Sequence, residues 1–216
     1  MTETTVRLTE IFFSVQGESS YVGLPTIFIR LTGCPLRCVY CDSAYAFEGG
    51  KKWAITDVLN KIAEYPSQYV CVTGGEPLVQ PQCLDLLDAL IQQGYKVSLE
   101  TSGAILVSQV NPQVARIVDF KTPSSGELSK NRWDNLQYLG ERDEIKFVIG
   151  DGDDFSWALS KVIELNMIER VGSVLFSPVH GSFQLEAFAE RVIASGLPIR
   201  MQIQLHKYIW GDSPGH

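Results

Sequence analysis

The chain has 216 residues, 45% of them hydrophobic, and a formal net charge of −7, enough for one domain with a sizeable core. Its acidic balance, with no run of Lys or Arg, argues against a nucleic-acid surface, and no apolar run approaches the ~20 residues of a membrane span. Met1-Thr2-Glu3-Thr4-Thr5 lacks the basic and apolar regions of a signal peptide, and five cysteines, three of them crowded, suit a reducing cytoplasm better than a disulfide framework.

In chain order, residues 7–13 read as a short strand and residues 26–31, β-branched and apolar, as a stronger one. A cysteine-rich loop follows directly. Thr56 is a candidate N-cap for a helix of about ten residues with Val58, Leu59 and Ile62 on one face. Residues 69–72 form a buried strand ending at a glycine pair. The leucine pattern of 83–93 predicts a helix, stopped at Gly94. Residues 95–100, 115–120 and 144–149 read as strands, 155–166 as a helix and 171–176 as a strand. A helix over 185–195, capped by Gly196, precedes a final strand over 199–205. Residues 122–132, rich in Ser, Pro, Gly and charge, form a loop. Cys71 and Cys83 read as small buried hydrophobes. This alternation predicts an α/β fold with a mostly parallel sheet, open or curled into a partial barrel, as a single domain over 1–216.

In such sheets, functional groups collect at the carboxyl ends of the strands. Polar segments fall there repeatedly: the cysteine loop, Thr73-Gly74-Gly75-Glu76, Glu100-Thr101-Ser102-Gly103, Asp119-Phe120-Lys121 and Gln204-Leu205-His206-Lys207. In Cys34-Pro35-Leu36-Arg37-Cys38-Val39-Tyr40-Cys41, three thiols fall within eight residues. Soft ligands at short spacing select zinc or an iron–sulfur cluster. A structural zinc site wants four closed ligands, and no fourth Cys or His lies nearby, so a zinc knuckle would need a distant ligand. Three cysteines on a [4Fe–4S] cluster would instead leave one iron open. Gly74 and Gly75 either admit a ligand close to the backbone or simply end a strand in a turn.

The spacing CxxxCx(aromatic)C, followed by Thr73-Gly74-Gly75-Glu76-Pro77, resembles the radical S-adenosylmethionine (SAM) superfamily. That resemblance implies a partial (β/α) barrel, a [4Fe–4S] cluster on Cys34, Cys38 and Cys41, and SAM on the open iron. It places Tyr40 near the adenine and Gly74, Gly75 and Glu76 at the SAM ammonium. Glu100 and Ser102 fall at the ribose or methionine part, and Asp119 and Lys121 beside SAM as well.

Three further stretches narrow the family. Phe13-Ser14-Val15-Gln16-Gly17-Glu18, Ile29-Arg30-Leu31 and Cys41-Asp42-Ser43, with Gln204-Leu205-His206-Lys207, resemble the 7-carboxy-7-deazaguanine synthase family over nearly the whole chain. The resemblance implies a lyase of queuosine and 7-deazapurine biosynthesis. Its substrate would be 6-carboxy-5,6,7,8-tetrahydropterin, its product 7-carboxy-7-deazaguanine, and ammonia would leave. A 5′-deoxyadenosyl radical would take hydrogen from C6, the ring would contract and the hydrogen would return, with no side chain acting as a strong acid or base. Gln16, Gly17, Glu18, Arg30, Thr73 and His206 match substrate positions, and Ser43 matches a Mg²⁺ ligand that is commonly Thr. A flavodoxin or ferredoxin reductant and a homodimer are also implied. Activating proteins of glycyl-radical enzymes share the cysteine motif and the size, and are the alternative.

Chemistry agrees with these substrate roles. An aminopyrimidinone edge suits the Gln16 amide and the Glu18 carboxylate, and the Arg30 fork suits a carboxylate. Against them stand a solvated Glu18, a surface Arg30, a structural His206 and a Ser43 that caps a helical turn. In some relatives a terminal carboxylate reaches the substrate; the tail from Trp210 to His216 carries no assignment here.

Overall fold

A computed structural model describes residues 3–211 and 215 of the chain; the tail positions 212–214 and 216 lie outside the described residues. The strands are β1 (Thr5–Val15), β2 (Pro25–Leu31), β3 (Lys51–Ala54), β4 (Tyr69–Gly74), β5 (Lys96–Thr101), β6 (Ala115–Phe120), β7 (Glu144–Ile149), β8 (Ser173–Pro178) and β9 (Ile199–Met201). They make one nine-stranded sheet in the order β3-β1-β2-β4-β5-β6-β7-β8-β9. From β2 across to β9 every pairing is parallel. β1 is antiparallel to both β2 and β3. The helices are α1 (Ile55–Ile62), α2 (Cys83–Gln92), α3 (Gly152–Glu164), α4 (Leu185–Ala194) and α5 (Leu205–Trp210). This is the expected α/β architecture with its mostly parallel, partly barrelled sheet.

Period-two side-chain alternation decides what each face of the sheet does. Ile27, Ile29, Leu31, Val70, Val72, Leu99, Val118, Phe120, Ile145 and Phe147 join one apolar core with Val58 of α1, Leu86 and Leu90 of α2, Phe155 of α3 and Phe188 of α4. Burying such a side chain contributes about 1.5–3 kcal/mol, so this face holds sheet to helices. The alternate residues point the other way: Arg30, Thr73, Glu100, Asp119 and Lys146. Adjacent strands set Arg30 beside Thr73 and Asp119 beside Lys146. The inner face is therefore polar towards the carboxyl ends, and that is where a site is built. Cys71 and Cys83 are fully buried, as expected.

Some local expectations are corrected. Helix α1 starts at Ile55 with Ala54 at its cap and no side-chain cap bond; the Thr56 hydroxyl donates to Glu3 at 2.7 Å instead. The edge strand β3 precedes α1. Helix α3 starts at Gly152, ahead of 155, because the Asp151 carboxylate caps it by accepting the Asp154 N–H at 2.8 Å. The last strand stops at Met201, and residues 205–210 form helix α5 rather than continuing it. The turn is made by tertiary bonds: the Gln202 amide pairs with the Ser19 backbone at 2.9 and 3.0 Å, and the Leu205 N–H donates to the Gly17 carbonyl at 3.1 Å. Residues 122–132 form a loop, as expected, with two short 3-10 turns at Pro123–Ser125 and Leu128–Lys130.

Candidate active site at the carboxyl ends of the strands

The cysteine loop leaves β2 and is held in place by its neighbours. The Arg37 guanidinium donates to the carbonyls of Cys34 and Leu36 at 2.9 and 2.7 Å and lies 4.3 Å from the Phe47 ring centre. The Arg37 N–H donates to Glu127 and the Val39 N–H to the Ser125 carbonyl, tying the loop to the 3-10 turns after β6. Cys34, Cys38 and Cys41 stay half-buried with free thiols. Burial pushes the Cys38 thiol up to about 11, opposed by the Lys121 ammonium. Among the described residues no three His, Cys, Asp or Glu side chains converge as a single-ion site requires, whereas a cubane takes its thiolates at separate irons.

The glycine pair has a steric reason. A Cβ at Gly75 would stand 2.4 Å from the Gly33 carbonyl oxygen and 2.7 Å from Cys34 Cβ, and one at Gly74 would stand 2.7 Å from the Leu31 carbonyl oxygen. Only glycine lets the end of β4 lie this close to the cysteine loop. Glu76 is fully buried. Its carboxylate accepts the Thr101 hydroxyl at 2.9 Å, the Ser102 N–H at 2.6 Å, the Ser102 hydroxyl and the Leu78 N–H. It is committed inside the protein and positions Ser102, rather than offering a free carboxylate to a ligand.

At the end of β6, Lys121 Nζ lies 3.1 Å from Asp119 Oδ2. Burial alone would lower the lysine, but Asp119 overrides it and holds the ammonium above its ordinary value. Among the described residues Asp119 Oδ1 is buried without a hydrogen-bond partner. The Tyr40 hydroxyl reaches the Val148 carbonyl at 3.3 Å and shares a bond with the Thr122 hydroxyl. Soft thiols, a backbone cradle that a Cβ would fill and an orphaned acceptor together fit a cluster with a donor-bearing ligand such as SAM.

A second polar group lies on the same inner face. Glu18 forms an ion pair with Lys146, and its other oxygen accepts from Gln204 Nε2 at 2.9 Å. The same amide donates to Asp42 Oδ2 at 2.9 Å, and Lys207 Nζ lies 3.3 Å from that oxygen. Gln16 Oε1 accepts the Glu18 N–H at 3.1 Å, and Gln16 Nε2 reaches Glu100 at 3.4 Å. The Thr73 hydroxyl donates to Glu100 at 3.0 Å. Glu100 thus sits with Gln16 and Thr73. Arg30 is a buried-face group, not a surface charge: Nε meets Glu10 at 2.7 Å, Nη1 reaches the Gly74 carbonyl at 3.4 Å, and Tyr45 donates to the same Glu10 oxygen at 2.8 Å. Gly17 packs on His206, which is half-buried. Ser43 donates to Asp42 Oδ1 at 3.0 Å, and among the described residues its side chain makes no cap bond to the turn Ala44–Ala46 that it precedes.

Electrostatics separates the carboxyls. Burial would raise Glu18, but Lys146 outweighs it and brings Glu18 below its ordinary value. Burial and then the Glu18 charge push Glu100 up. Burial lowers the His206 imidazole.

The radical SAM superfamily profile matches residues 28–118. Over 212 residues the chain is 41% identical to the 7-carboxy-7-deazaguanine synthase of Chlorobaculum tepidum, covering 97% of this chain and 96% of that one. The synthase of Koribacter versatilis is 40% identical (95% and 97% covered), and that of Thermoplasma acidophilum 37% (96% and 99%). The chain belongs to the 7-carboxy-7-deazaguanine synthase family. The crystal structure of QueE from Escherichia coli matches with a TM-score of 0.77 at 26% identity, covering 94% of this chain and 95% of that one. SuiB of Streptococcus suis, bound to its precursor peptide SuiA, matches with a TM-score of 0.56 at 14% identity, over 80% and 46%, and shares the fold alone. The relatives carry the synthase name, so the glycyl-radical alternative is set aside.

Within this synthase fold, sequence reasoning missed Lys146, Glu10 and Tyr45. A signal for Lys146 was present: in Glu144-Ile145-Lys146-Phe147 a lysine alternates with core residues, which puts it on the inner face. Glu10 had no such signal, because its partnership with Arg30 arises only from the β1–β2 register.

Proposed function

We propose that the chain is a radical SAM lyase that converts 6-carboxy-5,6,7,8-tetrahydropterin to 7-carboxy-7-deazaguanine, with ring contraction and release of ammonia. The observation that carries this reading is the pairing of the Gln16–Glu18 polar group and Arg30 with the cysteine loop on one inner sheet face. Cys34, Cys38 and Cys41 would hold the [4Fe–4S] cluster. Backbone at Gly74 and Gly75, with Tyr40, Glu100, Ser102, Asp119 and Lys121, would hold SAM, and Glu76 would act through Ser102. When bound and reduced, cluster and SAM supply a 5′-deoxyadenosyl radical. The chain's own work is to bind, orient and exclude water.

Glu18 and Gln16 accept and donate at the aminopyrimidinone edge, Arg30 faces the substrate carboxylate, and Thr73, Gly17 and His206 complete the pocket. Ser43 would offer its hydroxyl to Mg²⁺, a hard ion that also takes substrate oxygens. A flavodoxin or ferredoxin reductant, a homodimer and a cytoplasmic setting belong to the same reading. Anaerobically reconstituted protein, reductant, SAM and the tetrahydropterin should yield the deazaguanine and ammonia. SAM cleavage stimulated by a protein partner, with no product from the pterin, would overturn it.

A further inference from the structure

Lys146 stands in a cluster of buried charge. It reaches inward from β7 and is nearly enclosed, its side chain 12% exposed. Its Cα partner across the ladder is Asp119 of β6, and Glu100 of β5 and Glu18 also act on it. Glu18 closes the pair from the turn after β1, and its own side chain is 11% exposed. The groups facing Glu18 are Lys146 from β7, Glu100 from β5, Asp42 from the cysteine loop, and Gln204 and His206 at α5. Among these, Lys146 is the cation that bonds Glu18 directly, while Glu100 and Asp42 repel its charge.

Two buried carboxylates near one another cannot both ionise without a cation between them. A lysine suits this better than an arginine, because its compact point charge acts on several carboxylates at once, while an arginine fork commits to one. Removing one partner of a buried pair leaves an uncompensated charge, which takes up a proton. A protonated Glu18 would accept one fewer N–H donor.

We propose that Lys146 is a positioning residue for substrate recognition: its ammonium keeps the Glu18 side chain a carboxylate, aimed to accept the paired N–H donors of an aminopyrimidinone ring. The role rests on the pterin reading above, since it concerns how that ring is held. Lys146 touches Glu18, not the reacting atoms, and so acts through it. Gln204 fixes the second Glu18 oxygen, so the charge and the direction of the carboxylate come from two different elements.

The test is calorimetric binding of 6-carboxypterin, the oxidised analogue of the proposed substrate, to cluster-loaded protein with SAM, between about pH 5.5 and 7.5. Wild type and each variant share buffers, so proton uptake by the ligand cancels. Lys146→Met keeps the length and removes the charge. Its affinity relative to wild type should be nearest to one at the alkaline end and fall about tenfold or more towards the acidic end. Glu18→Gln should bind weakly at every pH, and adding Lys146→Met to it should change little. Lys146→Gln gives the same reading if the methionine variant does not fold. A uniform loss at all pH values in the Lys146 variants would mean packing alone, and unchanged binding would mean no role; either result overturns the assignment. Failure of wild type to bind the pterin at all, with SAM still bound, would instead remove the substrate reading and this role with it.

Discussion

Gly17 and His206 are packed so closely that a single methyl group would collide with the imidazole: a Cβ on Gly17 would lie 2.1 Å from His206 Nδ1 and 3.0 Å from the His206 backbone nitrogen. The Gly17 carbonyl also accepts the Leu205 N–H that starts α5. The glycine therefore joins the turn after β1 to the C-terminal helix, and sets His206 beside Gln16 and Glu18.

Gly17→Ala should displace the imidazole and the first turn of α5, because the clash includes backbone that cannot rotate away. Overpacking of this kind costs about 1–3 kcal/mol. The expected outcome is a higher KM for the pterin with SAM binding and iron content near wild type. Steady-state kinetics beside an iron assay checks it; an unchanged KM would mean that α5 does not shape the pterin site.

The cysteine loop makes a parallel prediction. Gly75→Ala should lower the iron held per chain, since its Cβ would press on the Gly33 carbonyl and Cys34 Cβ, which belong to the loop itself. Cys34→Ala, Cys38→Ala and Cys41→Ala should each abolish the cluster. Cys71→Ala should keep it at some cost in stability, because Cys71 is fully buried in the sheet. Iron and sulfide analysis with the visible spectrum separates these variants.

Much of this fold can be read from short apolar runs. Residues 115–120 and 144–149 are strands with the bounds their patterns predict, because β-branched and apolar core residues alternate there with polar residues of the inner face. The site is legible to the same depth, since residues that end such strands must share one rim. Elements set by tertiary bonds are not legible. Lys51-Lys52-Trp53-Ala54 lacks any strand pattern and pairs with β1 only as an edge. Helix α5 is short and takes its start from Gly17 and Gln202, distant partners no local pattern names. The Glu10–Arg30 contact depends on a register shift between Leu8 and Glu10, which alternation alone would misplace.

A pH prediction follows from His206. Burial holds its imidazole below the ordinary value of 6.5, so the unfolded chain takes up the proton first. The stability of the neutral form is present above about pH 6.5 and is lost as pH falls through that value towards the folded one. His206→Gln removes this term. The thermal midpoints of anaerobic wild type and variant should therefore converge as pH drops from about 8 to 5.5, the wild type losing more. A constant difference across the range would show that His206 carries no linked proton.

Ser43 follows Asp42 directly after the third cysteine, and its hydroxyl donates to Asp42 Oδ1 at 3.0 Å. Burial would raise Asp42, but the Gln204 amide, Lys207 and Lys146 together hold it well below the usual carboxylate range. The serine therefore stands on a fixed support, tied through Gln204 to Glu18 in the proposed pterin pocket. A hydroxyl is a weak ligand by itself, so Mg²⁺ at Ser43 should need substrate oxygens and water to complete its octahedron. Mg²⁺ should raise wild-type turnover, and Ser43→Ala should lower turnover and blunt that response with the cluster intact. Ser43→Thr should be tolerated, since it keeps the oxygen and adds one methyl. Among the described residues the Ser43 side chain makes no cap bond to the turn it precedes, so the alanine variant should stay within about 0.5 kcal/mol of wild type in stability. Titrating activity with Mg²⁺ in all three proteins decides the point: a full magnesium response in Ser43→Ala would place the ion on other groups.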